Sequence, residues 1–411
     1  MTPFAGASFA RALLVSSALV LLGGCSSTIE LQEPPKEPLN SELTLAMQWT
    51  IKQSSMPNLD TRGLDIAQDD KVIFVANTQG YLTKLLKQPQ SRWTDQVVWE
   101  TQFDEVLTAG PTLDEKFDRV LLGTAKGRLK AIDGQTGQLQ WQQPLSSEVL
   151  GRPLLHKDVI FTRTVDGKVY ALNRAEGSVI WVAEHQMPTL SLRGAPEIIA
   201  NDNQVFVAWE TGIVQALSRS SGELIWESRV AVPSGRTDLE RMVDIQANLV
   251  LHDGVLYALG FHGKMAAINP QNGNFIFVNE LSGYRDFVID DEAVYLVDEN
   301  DVLYALDAKS GASLWRQESM KGRFIGDLAF YKDQLLLTDS WGYVHWVNKV
   351  QGTVSSRFKH SNDYGDGNKI VRVRVDGEVI YLFDAEGQIR RYQVRTSDLA
   401  TFTKQHGDGW F

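Results

Sequence analysis

From Val72 onward the chain alternates short apolar runs with turns built on Gly, Asp and Asn, and no stretch keeps a 3.6-residue apolar period. One pattern recurs. An apolar strand leads through a Gly turn to a second strand ending in Ala-Leu-Asp or a close variant. A second Gly turn then leads to a strand ending in Trp. Copies read VLLGTAKGRLKAIDGQTGQLQW at 120–141, VIFTRTVDGKVYALNRAEGSVIW at 159–181 and VFVAWETGIVQALSRSSGELIW at 205–226. Further copies are VLYALGFHGKMAAINPQNGNFIF at 255–277, VYLVDENDVLYALDAKSGASLW at 294–315 and LLLTDSWGYVHWVNKVQGTVSS at 335–356. Weaker ones open at Val72, with Gly80 and Trp99, and at Val379, with Gly387.

The first turn falls at 80, 127, 167, 212, 263, 301 (here Asp), 342 and 387, so the intervals run from 38 to 51 residues. That spacing holds four short strands and their turns, the unit of a propeller blade. The expected fold is all-β: one domain over 45–411, an eight-bladed β-propeller of four-stranded antiparallel blades.

The repeated residues have structural roles. Gly137, Gly177, Gly222, Gly273, Gly311 and Gly352 suit tight turns between the third and fourth strands (C and D), where positive φ favours glycine. Asp133 and Asp307 can cap those turns through their own backbone. Trp141, Trp181, Trp226 and Trp315 each follow the turn Gly by four residues. They are expected to fill the wedge between blades and to offer the indole N–H to a neighbouring carbonyl. Phe277 keeps the ring and lacks the donor. Trp49 precedes Gly80 by 31 residues, the spacing also found between Trp181 and Gly212. Residues 45–53 are therefore expected as the outer strand of blade 8, removing an exposed edge. Leu399–Lys404 is the competing candidate.

The N-terminus changes the picture of where the protein resides. Residues 1–24 carry one charge, Arg11, ahead of an apolar run from Ala12 to Leu22. That run is shorter than the roughly 20 residues a membrane span needs and has the length of a signal-peptide core. Leu22-Gly23-Gly24-Cys25 resembles a bacterial lipobox, and Cys25 is the only cysteine. Cys25 is thus the expected lipidation site, where acyl chains such as palmitate would anchor the mature protein. The family pattern implies sorting to the outer membrane, since Ser26 rather than Asp follows, with the body facing the periplasm. Residues 25–44, polar and containing Pro34, Pro35 and Pro38, are expected as a lipidated flexible tether. Loss of Arg11 with the leader takes the formal net charge from −11 to −12, which argues against nucleic acid or anionic lipid surfaces as partners.

Two segments stand outside the repeat. Strands in a blade alternate direction, so each D-to-A connection to the next blade shares a face with the turns between the second and third strands (B and C). Counting Val72–Trp99 as blade 1, segment 182–194 follows the outer strand of blade 3, and segment 227–243 that of blade 4. From Trp226 to Gly263 takes 37 residues and from Trp181 to Gly212 takes 31, against 24 to 28 from Phe277, Trp141, Trp315 and Trp99. The extra chain therefore emerges on neighbouring blades and one face, where a rigid scaffold can present it. Leu190 and Leu192 flank Ser191 and precede Arg193, an anchor type at interfaces. The alternative is that these leucines fold inward over the blade junction.

Repeats ending Ala-Leu-Asp-x-x-x-Gly-x-x-x-Trp resemble those of quinoprotein (PQQ-type) propellers. Within that group the chain most resembles the BamB family of the outer-membrane β-barrel assembly machinery. The matches include Met187-Pro-Thr-Leu-Ser-Leu-Arg-Gly194 and Thr237-Asp-Leu-Glu-Arg-Met-Val-Asp244. They also include Asp286-Phe-Val-Ile-Asp290, Tyr295-Leu-Val-Asp-Glu-Asn-Asp301 and Gly342-Tyr-Val-His-Trp346. The resemblance covers the lipobox and all eight blades. It implies a non-enzymatic scaffold that docks the periplasmic POTRA domains of BamA and meets other subunits indirectly. Its implied docking residues are Leu190, Leu192, Arg193 and Asp244. The family's second aspartate falls on Gln246, which weakens a charge contact there.

Two other functions compete. A PQQ-dependent dehydrogenase would share the fold, but such enzymes commonly seat the quinone over a disulfide of adjacent cysteines, and no cysteine is left for one. No cofactor is expected. The seven histidines show no short ligand spacing, so no metal is expected either. Asp298, Asp301 and Asp339, near B–C turns, could bind calcium but are expected as solvated turn residues. The second competitor is direct capture of unfolded outer-membrane chains by strand addition at an exposed blade edge.

Overall fold

The structure is a computed structural model, and the residues it describes are 33–52, 64–88, 96–187, 196–234, 236, 243–360, 370–384 and 388–396. Residues 34–411 form one compact unit. It is an eight-bladed β-propeller in which every blade is a four-stranded antiparallel sheet. Seven blades take consecutive strands. In blade 3, Val149–His156 pairs with Val159–Thr164, which pairs with Lys168–Asn173 and then Val179–Glu184. B and C strands such as Phe161, Val169 and Ala171 are buried on both faces between blades, so they read as continuous apolar runs.

The blade junctions follow from the repeat. Trp181 Nε1 donates to the Arg219 carbonyl at 3.0 Å, Trp226 Nε1 to that of Pro270 at 2.8 Å and Trp315 Nε1 to that of Lys349 at 3.0 Å. Each acceptor lies three residues before the C–D glycine of the next blade. The indole lies against that glycine: a Cβ on Gly222 (φ 76°) would stand 2.6 Å from Trp181. Where the ring lacks a donor, another residue supplies one. Beside Phe277 the Tyr257 hydroxyl donates to the equivalent carbonyl, Ala308, at 2.9 Å.

Trp141 departs from the expectation, because its Nε1 has no hydrogen-bond partner among the described residues. The equivalent carbonyl, Arg174, instead accepts from the Arg119 guanidinium. Arg119, 2% exposed, is held by Asp114, which also pairs with Arg174 at 2.6 Å. A buried guanidinium has displaced the indole as donor.

A second correction concerns Asp298, Asp301 and Asp339, which are buried rather than solvated. Asp298 Oδ1 accepts from the Asn300 and Val302 amides, and Asp301 Oδ1 accepts from Arg285 at 2.8 Å. Asp339 accepts from Arg323 at 2.7 Å and lies 2.8 Å from His345 Nε2. Enclosed backbone and guanidinium donors need these carboxylates more than water does. Asp301 also adopts φ 61° in the place of the repeat's glycine.

Leu43–Lys52 is the outer strand of blade 8, antiparallel to Gln388–Thr396 with Leu43 opposite Thr396 and Lys52 opposite Gln388. Trp49 Nε1 donates to the Lys87 carbonyl of blade 1 at 3.3 Å, repeating the junction across the closure. Leu399–Lys404 lies outside the described residues.

The preceding segment corrects another expectation. Residues 34–42 lie along the outer strand of blade 7, Val354–Lys359, and are no free tether. Ser356 Oγ accepts from the Glu42 and Leu43 amides at 3.0 and 2.9 Å, and Ser41 Oγ accepts from the Arg357 amide at 3.0 Å. Lys36 Nζ donates to the Tyr343 hydroxyl at 2.6 Å. Blade 7 has Ser356 where other blades have Trp, or Phe277 in blade 5, because an entering chain, not a turn glycine, packs there.

Charged side chains from several blades meet beside the inner strands. Arg374 of blade 8 pairs with Asp65 of blade 1 and lies 3.6 Å from Asp327. Arg372 stands 3.9 Å from Asp65 and 3.8 Å from Asp286, and Arg152 reaches Glu197 at 3.2 Å. Burial alone would raise the Asp65 carboxyl, but Arg372, Arg374 and Arg152 hold it below the usual carboxylate range. Asp286 goes the other way: burial pushes it up, and Arg372 opposes only part of that.

A candidate docking face on blades 3 to 5

Among the described residues the chain leaving an outer strand repeatedly hydrogen-bonds to the B–C turn of its own blade. Phe103 donates to Gly80 at 2.8 Å, His185 to Gly167 at 2.8 Å and Val230 to Gly212 at 2.9 Å. D-to-A connections and B–C turns therefore share one face, and both extended segments are rooted there.

Leu190, Leu192 and Arg193 lie outside the described residues. The root of their segment, His185–Met187, is described and rests on a rigid platform. The His185 ring stacks on Trp209 of blade 4, centroids 4.5 Å apart, and its Nε2 lies 3.1 Å from Thr211 Oγ1. Beneath, Arg163 Nη2 of blade 3 donates to both carboxylate oxygens of Glu210 on blade 4, each at 2.7 Å, its Nη1 donates to the Ala208 carbonyl at 2.7 Å, and the guanidinium lies 4.9 Å from the Trp209 ring. Both charged side chains are about fully enclosed, at 1% exposure each. Such a bond locks two blades together where the first segment begins. Burial pushes the His185 imidazole below its ordinary value, and Glu227 and Glu210 oppose Arg163 and Arg229 around it.

The second segment grips blade 5. Ala231 bridges to Gly263 near one end, and Asp244 bridges to Phe261 at the other. The Phe261 amide donates to the Asp244 carbonyl at 2.8 Å. The expected turn glycine, Gly263, serves as a bridge partner instead, and His262 takes the left-handed conformation at φ 49°. Asp244 itself is 0% exposed. Any contribution of Asp244 to docking runs through the loop it holds, not through touching a partner. Gln246 follows it two residues later.

The sequence did not single out the aromatic side chains that this grip displays. Phe261 stacks on His262 at 4.0 Å and meets the Tyr284 ring edge-on at 6.2 Å. Tyr284, in the connection leaving blade 5, is 37% exposed, and Val232, in the second segment, is 57% exposed. Arg285 covers the Tyr284 ring at 4.4 Å and continues to Asp301. The available signal was the 51-residue interval from Gly212 to Gly263, the longest in the repeat.

Comparison with known proteins places this architecture. The family model described as "Outer membrane protein assembly factor BamB" matches residues 86–317, more than half of the chain. The chain belongs to the BamB family. The Yersinia pestis outer membrane protein assembly factor BamB is 29% identical over 360 residues, 83% of this chain and 89% of its own length. The crystal structure of BamB from Moraxella catarrhalis superposes with a TM-score of 0.72 at 24% identity, covering 85% of this chain and 100% of that one. A quinohemoprotein alcohol dehydrogenase from Comamonas testosteroni reaches a TM-score of 0.64 at 13% identity, covering 86% of this chain and 76% of that one. That second likeness is one of fold alone. The family to which this BamB-type chain belongs is one of assembly factors for outer-membrane proteins, not of enzymes.

Proposed function

We propose that this BamB-family chain is a lipid-anchored scaffold that docks the periplasmic POTRA domains of BamA through the loops of blades 3 to 5. One observation carries the reading. Two extended connections on neighbouring blades are rooted on the same face, the first on a buried Arg163–Glu210 lock and the second on the opened turn of blade 5. A rigid ring presenting apolar and arginine side chains on adjacent loops is suited to binding a protein domain, since aromatic and arginine anchors dominate such interfaces. Leu190, Leu192 and Arg193 supply the first part of the contact, and Phe261, Tyr284 and Val232 extend it. Asp244 keeps the second loop closed on blade 5. The assembly machinery then gains a fixed spacing between partner domains, with no bond made or broken by this subunit. Cys25 carries the acyl chains that keep the scaffold at the periplasmic side of the outer membrane.

The test is co-purification of BamA with tagged variants. Arg193→Glu and Tyr284→Ala are expected to lower BamA recovery at least about tenfold, a loss of roughly 1.4 kcal/mol, while Ile180→Ala on the outer edge of blade 3 leaves it unchanged. Full BamA recovery with both variants would remove this face as the docking surface.

A further inference from the structure

We propose that the rim of blade 7, where the N-terminal strap leaves the propeller, is the edge nearest the membrane and meets its phospholipid headgroups. This rests on the reading of Cys25 as the acylated residue.

The argument starts from chain length. The strap runs along the outer strand of blade 7 towards the face that carries the D-to-A connections. Its holds near that end include Lys36 on Tyr343 at 2.6 Å and the Pro34 carbonyl, which accepts from Arg323 Nη1 at 3.4 Å. Only residues 25–33 remain between the acylated position and Pro34. Fully extended they reach about 30 Å, at roughly 3.3–3.6 Å per residue. A free tether to residue 44 would have reached about twice as far. The held strap thus ties one edge of the ring to the lipid, and blade 3, four positions round a ring of eight, is carried to the opposite side.

The chemistry of that edge fits headgroups. Phe324, in the connection entering blade 7, is 46% exposed and sits at φ 52°. A bulky side chain in the left-handed region is uncommon and persists where surrounding bonds impose it. Here Asp301 imposes it, accepting from the Phe324 amide at 2.8 Å and the Ile325 amide at 3.1 Å. The result is a large apolar ring exposed at the rim, a side chain of the kind that membrane-surface segments bury at the headgroup–acyl boundary. Beside it Lys321 and Arg316 stand among Glu299 and Glu318, and further lysines lie along the strap on the same blade. Lys36 and Lys359 lie 4.4 and 5.3 Å from the Tyr343 ring, and both are exposed. Lys321 is 53% exposed and shares its charge with Glu318. Lysine ammonium groups near a surface attract headgroup phosphates even on a chain that is acidic as a whole.

The test uses the full-length protein in intact cells, with a photo-reactive phenylalanine at 324 or 321 on blade 7 and at 180 or 225 on blades 3 and 4. Irradiation is followed by mass analysis of phospholipid adducts, and a labelled fatty acid reports acylation of Cys25 in the same samples. Adducts at 324 and 321 are expected at least fivefold above those at 180 and 225. The paired substitution Lys36→Ala and Tyr343→Ala, which removes one of the strap's holds, is expected to shrink that ratio. Equal adducts at all four positions in an acylated protein, or attachment from 324 to protein only, would overturn the inference. Absence of acyl label at Cys25 would sink the anchoring reading itself, and the inference with it.

Discussion

Replacing Asp65 by asparagine removes the carboxylate that joins blade 1 to blade 8. Its side chain is 5% exposed and sits among Arg374, Arg152 at 3.8 Å and Arg372 at 3.9 Å. Breaking a buried ion pair by removing one partner costs about 3–5 kcal/mol. Asp327, Asp286 and Glu197 remain to share the three guanidinium groups, so the lower end, about 3 kcal/mol, is expected. At a urea slope of roughly 3 kcal/mol per molar the unfolding midpoint falls by about 1 M at pH 7. The pH dependence follows from the depressed carboxyl. Its stabilisation is complete above the ordinary carboxylate value, about 3.9, and is lost as pH falls through the lower folded value. The gap between Asp65→Asn and the parent should therefore hold steady from pH 7 to about 4 and close only as pH falls below that, towards the depressed folded value. Urea titrations followed by tryptophan fluorescence at several pH values measure both. A midpoint change under about 0.3 M at pH 7, or a gap that does not vary with pH, would refute the clasp.

Other consequences follow from the junctions and the loop platform. Gly222→Ala drives a Cβ to within 2.6 Å of Trp181 at φ 76°, whereas Gly254→Ala at φ 74° meets nothing within 4 Å. Urea unfolding is expected to show a loss of about 2–4 kcal/mol for the first and about 1–2 kcal/mol for the second. Glu210→Gln leaves Arg163 buried without its charge partner and should cost about 3 kcal/mol. Hydrogen exchange at 185–187 should rise with it, because the platform under that root loosens. Since burial holds the His185 imidazole low, the unfolded chain binds the proton better and stability falls as pH drops below the ordinary histidine value. His185→Gln should flatten the unfolding midpoint between pH 7 and 5; an unchanged slope would place the titration elsewhere.

The parts of the fold that were legible in sequence are those set by local repetition. Gly222 and Trp226 lie four residues apart in one copy, so turn and ring could be paired on sight, and Trp49 could be matched to them by spacing alone. What the pattern could not supply was chemistry between copies. Arg119 displaces the Trp141 donor across 55 residues, and Tyr257 stands in for Phe277 across 51, at carbonyls no local motif marks. The same limit hid the Asp65 cluster, whose partners come from opposite ends of the chain. Residues 34–42 read as a tether because prolines and polar residues look alike whether free or held. Partners some 300 residues away, the Ser356 and Tyr343 hydroxyls among them, reveal the strap. At the docking face, loop lengths located the two segments, but the burial of Asp244 and the display of Phe261 and Tyr284 depend on how blade 5 opens its turn.

The most direct test of the scaffold account is photo-crosslinking from position 192 in intact cells. The account predicts one dominant adduct, with BamA, whose attached peptide maps to a POTRA domain. Its yield should collapse in the Tyr284→Ala background, because both loops serve one interface. A position-192 probe that captures unfolded outer-membrane chains in place of BamA, or nothing at all while BamA still co-purifies, would contradict it.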